Sequence, residues 1–397
     1  MMTRFLLLIF GLLAALLFPT LESSALPFLD DPAKLKKLEE GNFSLANVAL
    51  DMRASVKNNK ELLSSALYVS LIEDIEGDLR RVKKADSNLS IGMRSSHRLF
   101  DEAWLRADNA YFELVGIVNR IDRAPFSAKK CGEIRFIYRL AYNIKSPHPI
   151  YSRLPMTLNA VYWAKRTENG CKFAEAKWQE FAKSFESGEL KDLAMQSLPL
   201  DSMKSLEVNL QSVRWPSTIR PDMGGYAEYL LRAYRTENGK FYAAPLENTI
   251  DSDALISDKN KKSELLRWLK KETNLAALDR GVVNIPEKFL LHKVTSVALH
   301  GVHRMQNAPF SRVYTEDDFL DIDFSKYKSI KSSHGIIRRL NDLTCTGCHQ
   351  GRTVAGFHFL GRDREETDTV NAIAVSASPH FFLDLERRER YSRALIS

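Results

Sequence analysis

The pentapeptide Arg-Thr-Glu-Asn-Gly occurs twice, at 166–170 and 235–239, each time between aromatic, strand-like stretches. Asn-Gly accepts the positive backbone angles of a tight two-residue hairpin, so each copy predicts an antiparallel turn. The neighbouring segments carry strand patterns. Tyr111–Val118 is an apolar run ending in the polar Asn119-Arg120. In Glu133–Leu140, the side chains of Ile134, Phe136, Tyr138 and Leu140 alternate with Glu133, Arg135 and Arg139, predicting one apolar and one polar face. Thr157–Trp163 and Leu206–Val213 read as further strands. Phe173–Leu198 reads as a helix with Trp178, Phe181 and Phe185 on one stripe. Residues 106–250 are therefore expected to form a mixed α+β domain around an antiparallel sheet.

The flanks read differently. Arg4, the apolar run Phe5–Phe18 and Ser23-Ser24-Ala25 have the form of an export signal cut after Ala25. No later stretch is apolar enough to span a membrane. Residues 26–105 read as a helical N-terminal region. Pro32 opens a charged helix after Asp30-Asp31, and Leu62, Leu63, Leu67 and Leu71 recur at helical spacing. The charged stretch Asp78–Lys84 is expected on an exposed helix face. Residues 251–397 form the last region. Here 263–280 reads as a helix capped by Ser263 and closed by Gly281, and Ser333 is expected to cap another that leads into Cys345. Val118–Ser127 and Val302–Ser311 match at six of ten positions, which makes Arg120 and Arg304 candidates for equivalent anion contacts.

A formal charge of +7 is spread along the chain without a basic run. That lacks the footprint of a nucleic-acid binder; the charge is read first as solvated surface charge, and its functional consequence would be attraction to acidic partners or to an anionic surface. No Gly-x-Ser-x-Gly, phosphate-cradling loop or His-Glu-x-x-His is present. The four cysteines allow three pairings. Cys131 and Cys171 suit a disulfide in an oxidising compartment, and a second bond between Cys345 and Cys348 is an alternative use of the remaining pair.

Cys345-Thr-Gly-Cys348-His349 has the Cys-x-x-Cys-His spacing of covalent haem attachment. On one helical turn Cys345 and Cys348 stand at i and i+3, with His349 at i+4, so two thiols can grip a porphyrin edge while an imidazole turns under its centre. The segment resembles c-type cytochromes. The resemblance implies one haem c bound through Cys345 and Cys348, with His349 as proximal iron ligand. Together with Cys131-Gly-Glu-Ile-Arg-Phe-Ile-Tyr138 and Gly356-Phe-His-Phe-Leu-Gly361, it also resembles a set of exported bacterial proteins, a likeness that implies no activity. Zinc is disfavoured because no second cysteine pair is spaced for it.

Only 48 residues follow His349 and none is methionine, unlike a small cytochrome c domain, whose sixth ligand is a downstream methionine. Met305 upstream, or one of His300, His303, His358 and His380, is then the available ligand, unless the position is open. His358 is preferred, because Gly356 and Gly361 let backbone approach a flat ring. Arg338, Arg339, Arg352 and Arg362 are candidates for propionate contacts. The expectation is an exported, periplasmic haem protein that works with a redox partner in electron transfer or redox sensing. A peroxidase-like enzyme with an open sixth position, and a haem-free binding or assembly protein with a Cys345–Cys348 disulfide, are the alternatives.

Overall fold

The structure, a computed structural model, describes residues 26–52, 56–91, 97–145, 149–215, 226–299, 307–350, 362 and 379–396; of His97, Trp215, Ala298, Leu299, Cys348–Gln350, 379–383 and Ile396 it describes the backbone course alone. The strands are β1 (Phe28–Leu29), β2 (Leu89–Ser90), β3 (His97–Leu99), β4 (Ala110–Arg120), β5 (Glu133–Ile144), β6 (Ile150–Ala164), β7 (Leu200–Trp215), β8 (Tyr226–Glu237), β9 (Lys240–Ala243) and β10 (Lys293–Leu299). They join one sheet in which β1, β4, β5, β6, β7 and β8 are successive neighbours. β9 and β10 both pair with β8, and β3 pairs with the end of β7. Every pairing is antiparallel except that of β2 with β3. With its helices, the chain has the α+β class expected from its sequence.

The N-terminal helices are α1 (Pro32–Glu40), α2 (Leu45–Ala49), α3 (Asn59–Leu62) and α4 (Ala66–Ala85); α5 (Lys172–Ser187) follows β6. Asp31 caps α1 by accepting from the Lys34 N–H, with Pro32 at the first helical position, where its missing N–H costs nothing. The leucine periodicity over 61–71 spans two helices, because Ser65 caps the Tyr68 N–H and starts α4 afresh. α5 ends earlier than its periodicity suggested, at Gly188, which takes φ +84°.

These helices cover the apolar face of the sheet. Phe112, Leu114, Phe136, Tyr138, Leu158, Leu206 and Val208 pack with Leu35 and Leu38 of α1, Tyr68, Leu71 and Ile75 of α4, and Trp178, Phe181 and Phe185 of α5. Each large apolar side chain buried this way contributes about 1.5–3 kcal/mol. Asp78 belongs to this interface and is buried, not solvated, because Arg232 on β8 donates to it at 2.8 Å.

The twin pentapeptides diverge. At 235–239 the expected hairpin joins β8 to β9, with Asn238 at φ +51° and Gly239 at φ +72°. At 166–170 a single Thr167–Gly170 bridge closes the turn, and the chain enters α5 instead of a partner strand. The difference lies just beyond the motif, where Cys171 is bridged to Cys131, fixing the chain at the root of the helix.

A second core is built from α6 (Ser252–Ser257), α7 (Lys259–Leu269), α8 (Glu272–Arg280), α9 (Pro309–Val313) and α10 (Ser333–Asp342). Leu255, Leu265, Leu269, Leu278, Phe310, Phe319, Ile336 and Leu340 meet there. The stretch read as one helix over 263–280 is two: Asp258 caps α7, Lys271 starts α8, and Gly281 closes it at φ +76°. Ser332, one residue before the expected Ser333, caps α10 through the Gly335 N–H. α11 (Cys345–Gln350) packs against α10 and β10. The last helix, α12 (Pro379–Ile396), returns to the sheet, where Leu385 meets Val115, Val118 and Ile137. Among the described residues no helix is long and apolar enough to cross a membrane.

Candidate functional site

α11 follows α10 after a turn so tight that the side chain of its third residue must be absent. Thr344 Oγ1 donates to the Asn341 carbonyl at 2.7 Å and accepts from the Gly347 N–H at 2.9 Å. Asn341 itself is buried and bonded on both sides of its amide. Its Oδ1 accepts from the Phe310 N–H at 2.9 Å and its Nδ2 donates to Ser311 Oγ at 2.8 Å. The turn is thus fastened to α9 of the second core.

Two further anchors tie α11 to the sheet. Thr346 Oγ1 donates to the Asn307 carbonyl at 3.3 Å. The Asn307 side chain pairs with both backbone groups of Val297 on β10, at 3.1 and 2.7 Å, standing in for an adjacent strand. On the other side, the Cys345 N–H donates to Thr249 Oγ1 at 2.9 Å, and that hydroxyl donates to the Glu247 carbonyl at 3.2 Å. Cys345 Sγ lies 3.6 Å from the same carbonyl and packs among Ala233, Ala244, Leu246 and Val294. Cys345 therefore sits on the sheet face opposite the N-terminal helices, over β8 and β10.

That face is charged and largely buried. Glu133, Arg135, Arg123, Glu113 and Arg153 are each under 10% exposed. Arg123 lies 3.1 Å from Glu133 and 2.5 Å from Glu247; Lys204 lies 2.7 Å from Glu133 and 3.5 Å from Glu247. Arg135 joins Glu133 at 2.7 Å to Glu207 at 3.2 Å. Three cations thus interleave with three carboxylates directly beneath the loop that receives Cys345. Burial by itself raises the pKa of the carboxylates, but the cations outweigh it: Arg123 and Lys204 hold the pKa of Glu247 down to about 2, and Arg123, Lys204 and Arg135 hold that of Glu133 well below the usual carboxylate range. Arg123 also stacks on Phe126, 4.1 Å from its ring centre, and Lys204 lies over Trp163 at 4.8 Å.

A second buried cluster fastens α12. Arg120, fully buried, binds Asp122 through two nitrogens at 2.9 and 3.1 Å, and Arg387 reaches Asp122 at 2.6 Å. Arg388 and Arg387 both pair with Asp384. Asp122 is held far below its ordinary range: burial opposes ionisation, and Arg120 with Arg388 and Arg387 overcomes it.

Of the residues singled out from sequence, Cys345 is placed as described. Cys348 and His349 follow it on α11, and their side chains are outside the described part of the structure, as is that of His380 on α12. His300, His303, Arg304, Met305, Arg352 and His358 lie outside the described residues. Arg120 binds Asp122 through Nε and Nη2. Arg339 is spent on the carbonyls of Leu278 and Asp279, at 2.6 and 2.9 Å. Arg338 is exposed, and Arg362 reaches Asp30 at 3.5 Å while its carbonyl accepts from Arg153. Among the described residues no group of three His, Cys, Asp or Glu side chains is placed to hold a metal.

Sequence reasoning missed Thr249, Asn307, Glu247 and Lys204 altogether. It also assigned Glu133 and Arg135 to a polar face without seeing that this face is buried. The readable signal was present only in part: charges alternating within a strand that is otherwise apolar imply partners on neighbouring strands when both faces are covered. Comparison with protein-family models, with curated proteins and with solved structures gave no match for this chain.

Proposed function

We propose that the chain is an exported c-type haem protein with one covalent haem, acting in electron transfer or redox sensing with a redox partner protein. The observation that carries this reading is the spacing Cys345, Cys348, His349 on the single helix α11, held by Thr249, Asn307 and Asn341. The Cys345 N–H bond to Thr249 and the Thr346 bond to the Asn307 carbonyl tie the start of the helix to two separate segments, and a fixed starting point is one condition for a precise site. Cys345 and Cys348 would hold the haem, His349 would be its proximal ligand, and His358 is the proposed sixth. When bound, the haem supplies reversible one-electron chemistry.

The chain's own residues supply the surroundings. The interleaved ion layer of Arg123, Glu133, Arg135, Lys204, Glu207 and Glu247 has no excess charge of either sign, and it is fixed in place by burial. Such a layer would hold its dipoles still if the charge of a bound haem changed, which would keep reorganisation small. The Cys131–Cys171 bridge suits an exported, oxidising location, and the formal charge of +7 suits an acidic redox partner.

Expression of the full chain alongside haem-maturation machinery, followed by pyridine haemochrome spectra and intact mass, tests the reading. One covalent haem in the wild type, lost in Cys345→Ser and Cys348→Ser, is the expected result; a wild-type chain without covalent haem ends it. Cyanide titration of the ferric protein then separates a filled sixth position from an open, peroxidase-like one.

A further inference from the structure

The sheet face beneath Cys345 carries a buried amide that its described neighbours leave unbonded. Asn159, on β6, is 1% exposed, yet among the described residues neither its Nδ2 nor its Oδ1 has a hydrogen-bond partner. Asn209 on β7 has an equally unmatched Oδ1. Buried amides are almost always satisfied, and stranding both ends of one in a sheet is costly unless something meets them.

The register shows where these amides lie relative to Cys345. Ala233, one of the cluster that Cys345 packs against, pairs directly with Glu207; Glu207 pairs with Asn159, and Asn159 with Ile137. Directly paired residues point to one side, so the cluster under Cys345 and Asn159 share a face, with Ala233 two strand spacings or about 10 Å from Asn159. The adjoining row runs Leu231, Asn209, Thr157, Arg139. Moving away from Cys345, the face changes from small and apolar (Ala233, Leu231) to polar: Asn159, Asn209 and Arg139 lie there with Glu207, which is paired to Arg135, and Glu113, which is paired to Arg153. A porphyrin has the same polarity along the same kind of span, with apolar vinyl groups at one edge and carboxylates at the other.

Resting on the haem reading above, we propose that Asn159 and Arg139 receive the propionate carboxylates of a ring anchored at Cys345. Asn159 Nδ2 donates to a carboxylate oxygen and Arg139 sets a positive charge beside it, as charge-assisted recognition requires. Asn159 is in this sense a positioning residue, acting on the ring's edge and not on the iron.

The test uses Asn159→Leu, Asn209→Leu and Arg139→Gln in the full chain expressed with haem-maturation machinery. Haem content by pyridine haemochrome is expected to match wild type. The midpoint potential is expected to fall in Asn159→Leu and Arg139→Gln, since less compensated carboxylates favour ferric iron, and the propionate bending bands in resonance Raman spectra are expected to shift. In haem-free protein, Asn159→Leu is expected to unfold at no lower urea concentration than wild type, because it removes an unpaired amide; this keeps a folding defect from passing as an effect on haem. If all three variants carry haem with unchanged potential and unchanged bands, the amides are solvated by internal water and the proposal is overturned. A wild-type chain lacking covalent haem removes the parent reading as well, so the two failures are told apart by the wild type alone.

Discussion

Gly347 lies directly against the Asn341 carbonyl: a Cβ built on it would stand 1.9 Å from that oxygen and 2.8 Å from the carbonyl carbon. The central residue of the Cys-x-x-Cys-His segment is thus chosen by the turn between α10 and α11. The blocking atoms are backbone, held in place by the Asn341 side chain and its bonds to α9.

Gly347→Ala is accordingly expected to be costly although alanine is the better helix former. Backbone has to move, so the loss should be about 2–3 kcal/mol or more, in the range of overpacked sites. Urea unfolding of wild type and variant measures it, and a change below about 0.5 kcal/mol would contradict the described turn.

The ion layer predicts acid sensitivity with a definite sign. Glu133 and Glu247 have folded pKa values below the unfolded value of about 4.3. Their contribution is therefore complete above that value and is lost as pH falls through it towards about 2, where Glu247 protonates in the folded state. Between pH 5 and pH 2.5 the loss should be roughly 1–3 kcal/mol, moderated by the partial exposure of Glu247. Lys204→Met removes a cation from both carboxylates, so their folded pKa values rise towards the unfolded one; the loss should still begin at about pH 4.3 but be smaller and be complete at a higher pH. Urea midpoints followed across pH 2.5–7 would show this, and identical profiles for the two proteins would count against the pairing.

The bridge Cys131–Cys171 joins residues separated by 40 positions. On the chain-entropy account, removing it by the double change Cys131→Ser with Cys171→Ser should cost about 4 kcal/mol. Wild type treated with reductant should approach the same urea midpoint. Unchanged midpoints in both cases would mean that the bridge adds nothing to stability.

The twin pentapeptides offer a matched comparison. Asn238 sits at φ +51°, whereas the positive-φ residues other than glycine among those described do not include Asn169. Asn238→Ala should therefore cost about 1–2 kcal/mol, since an alanine in the left-handed region is strained, and Asn169→Ala should cost well under half of that. Thermal unfolding of the two variants decides it; equal losses would refute the difference in turn geometry.

How much of this was legible before folding can be judged from particular residues. Alternation in Glu133–Leu140 exposed a strand, and Asn238-Gly239 exposed its hairpin, because both signals are local: side-chain period and permitted backbone angles. The helix breaks at Ser65 and at Lys271 were not legible, since the apolar period runs through them and only the packing of each stripe shows where one helix stops. The ion layer was not legible for a different reason. Glu247 is 124 residues from Arg123 and 43 from Lys204, and no window along the chain contains them together.

Chain chemistry alone determined the disulfide-suited pair, the antiparallel α+β character and the Cys345-x-x-Cys348-His349 spacing, because each depends on residue type, period or interval within a short span. Tertiary structure decided the rest: that Asn341 leaves no room for a side chain at Gly347, that the polar face of β5 is a buried layer of matched charges, and that Asn159 shares a face with the cluster under Cys345. Those relations arise only when strands from distant parts of the chain come into register and a second core presses α11 against them. Burial then turns ordinary polar residues into groups that must be partnered, and partnering is a property of three-dimensional neighbours, not of sequence neighbours.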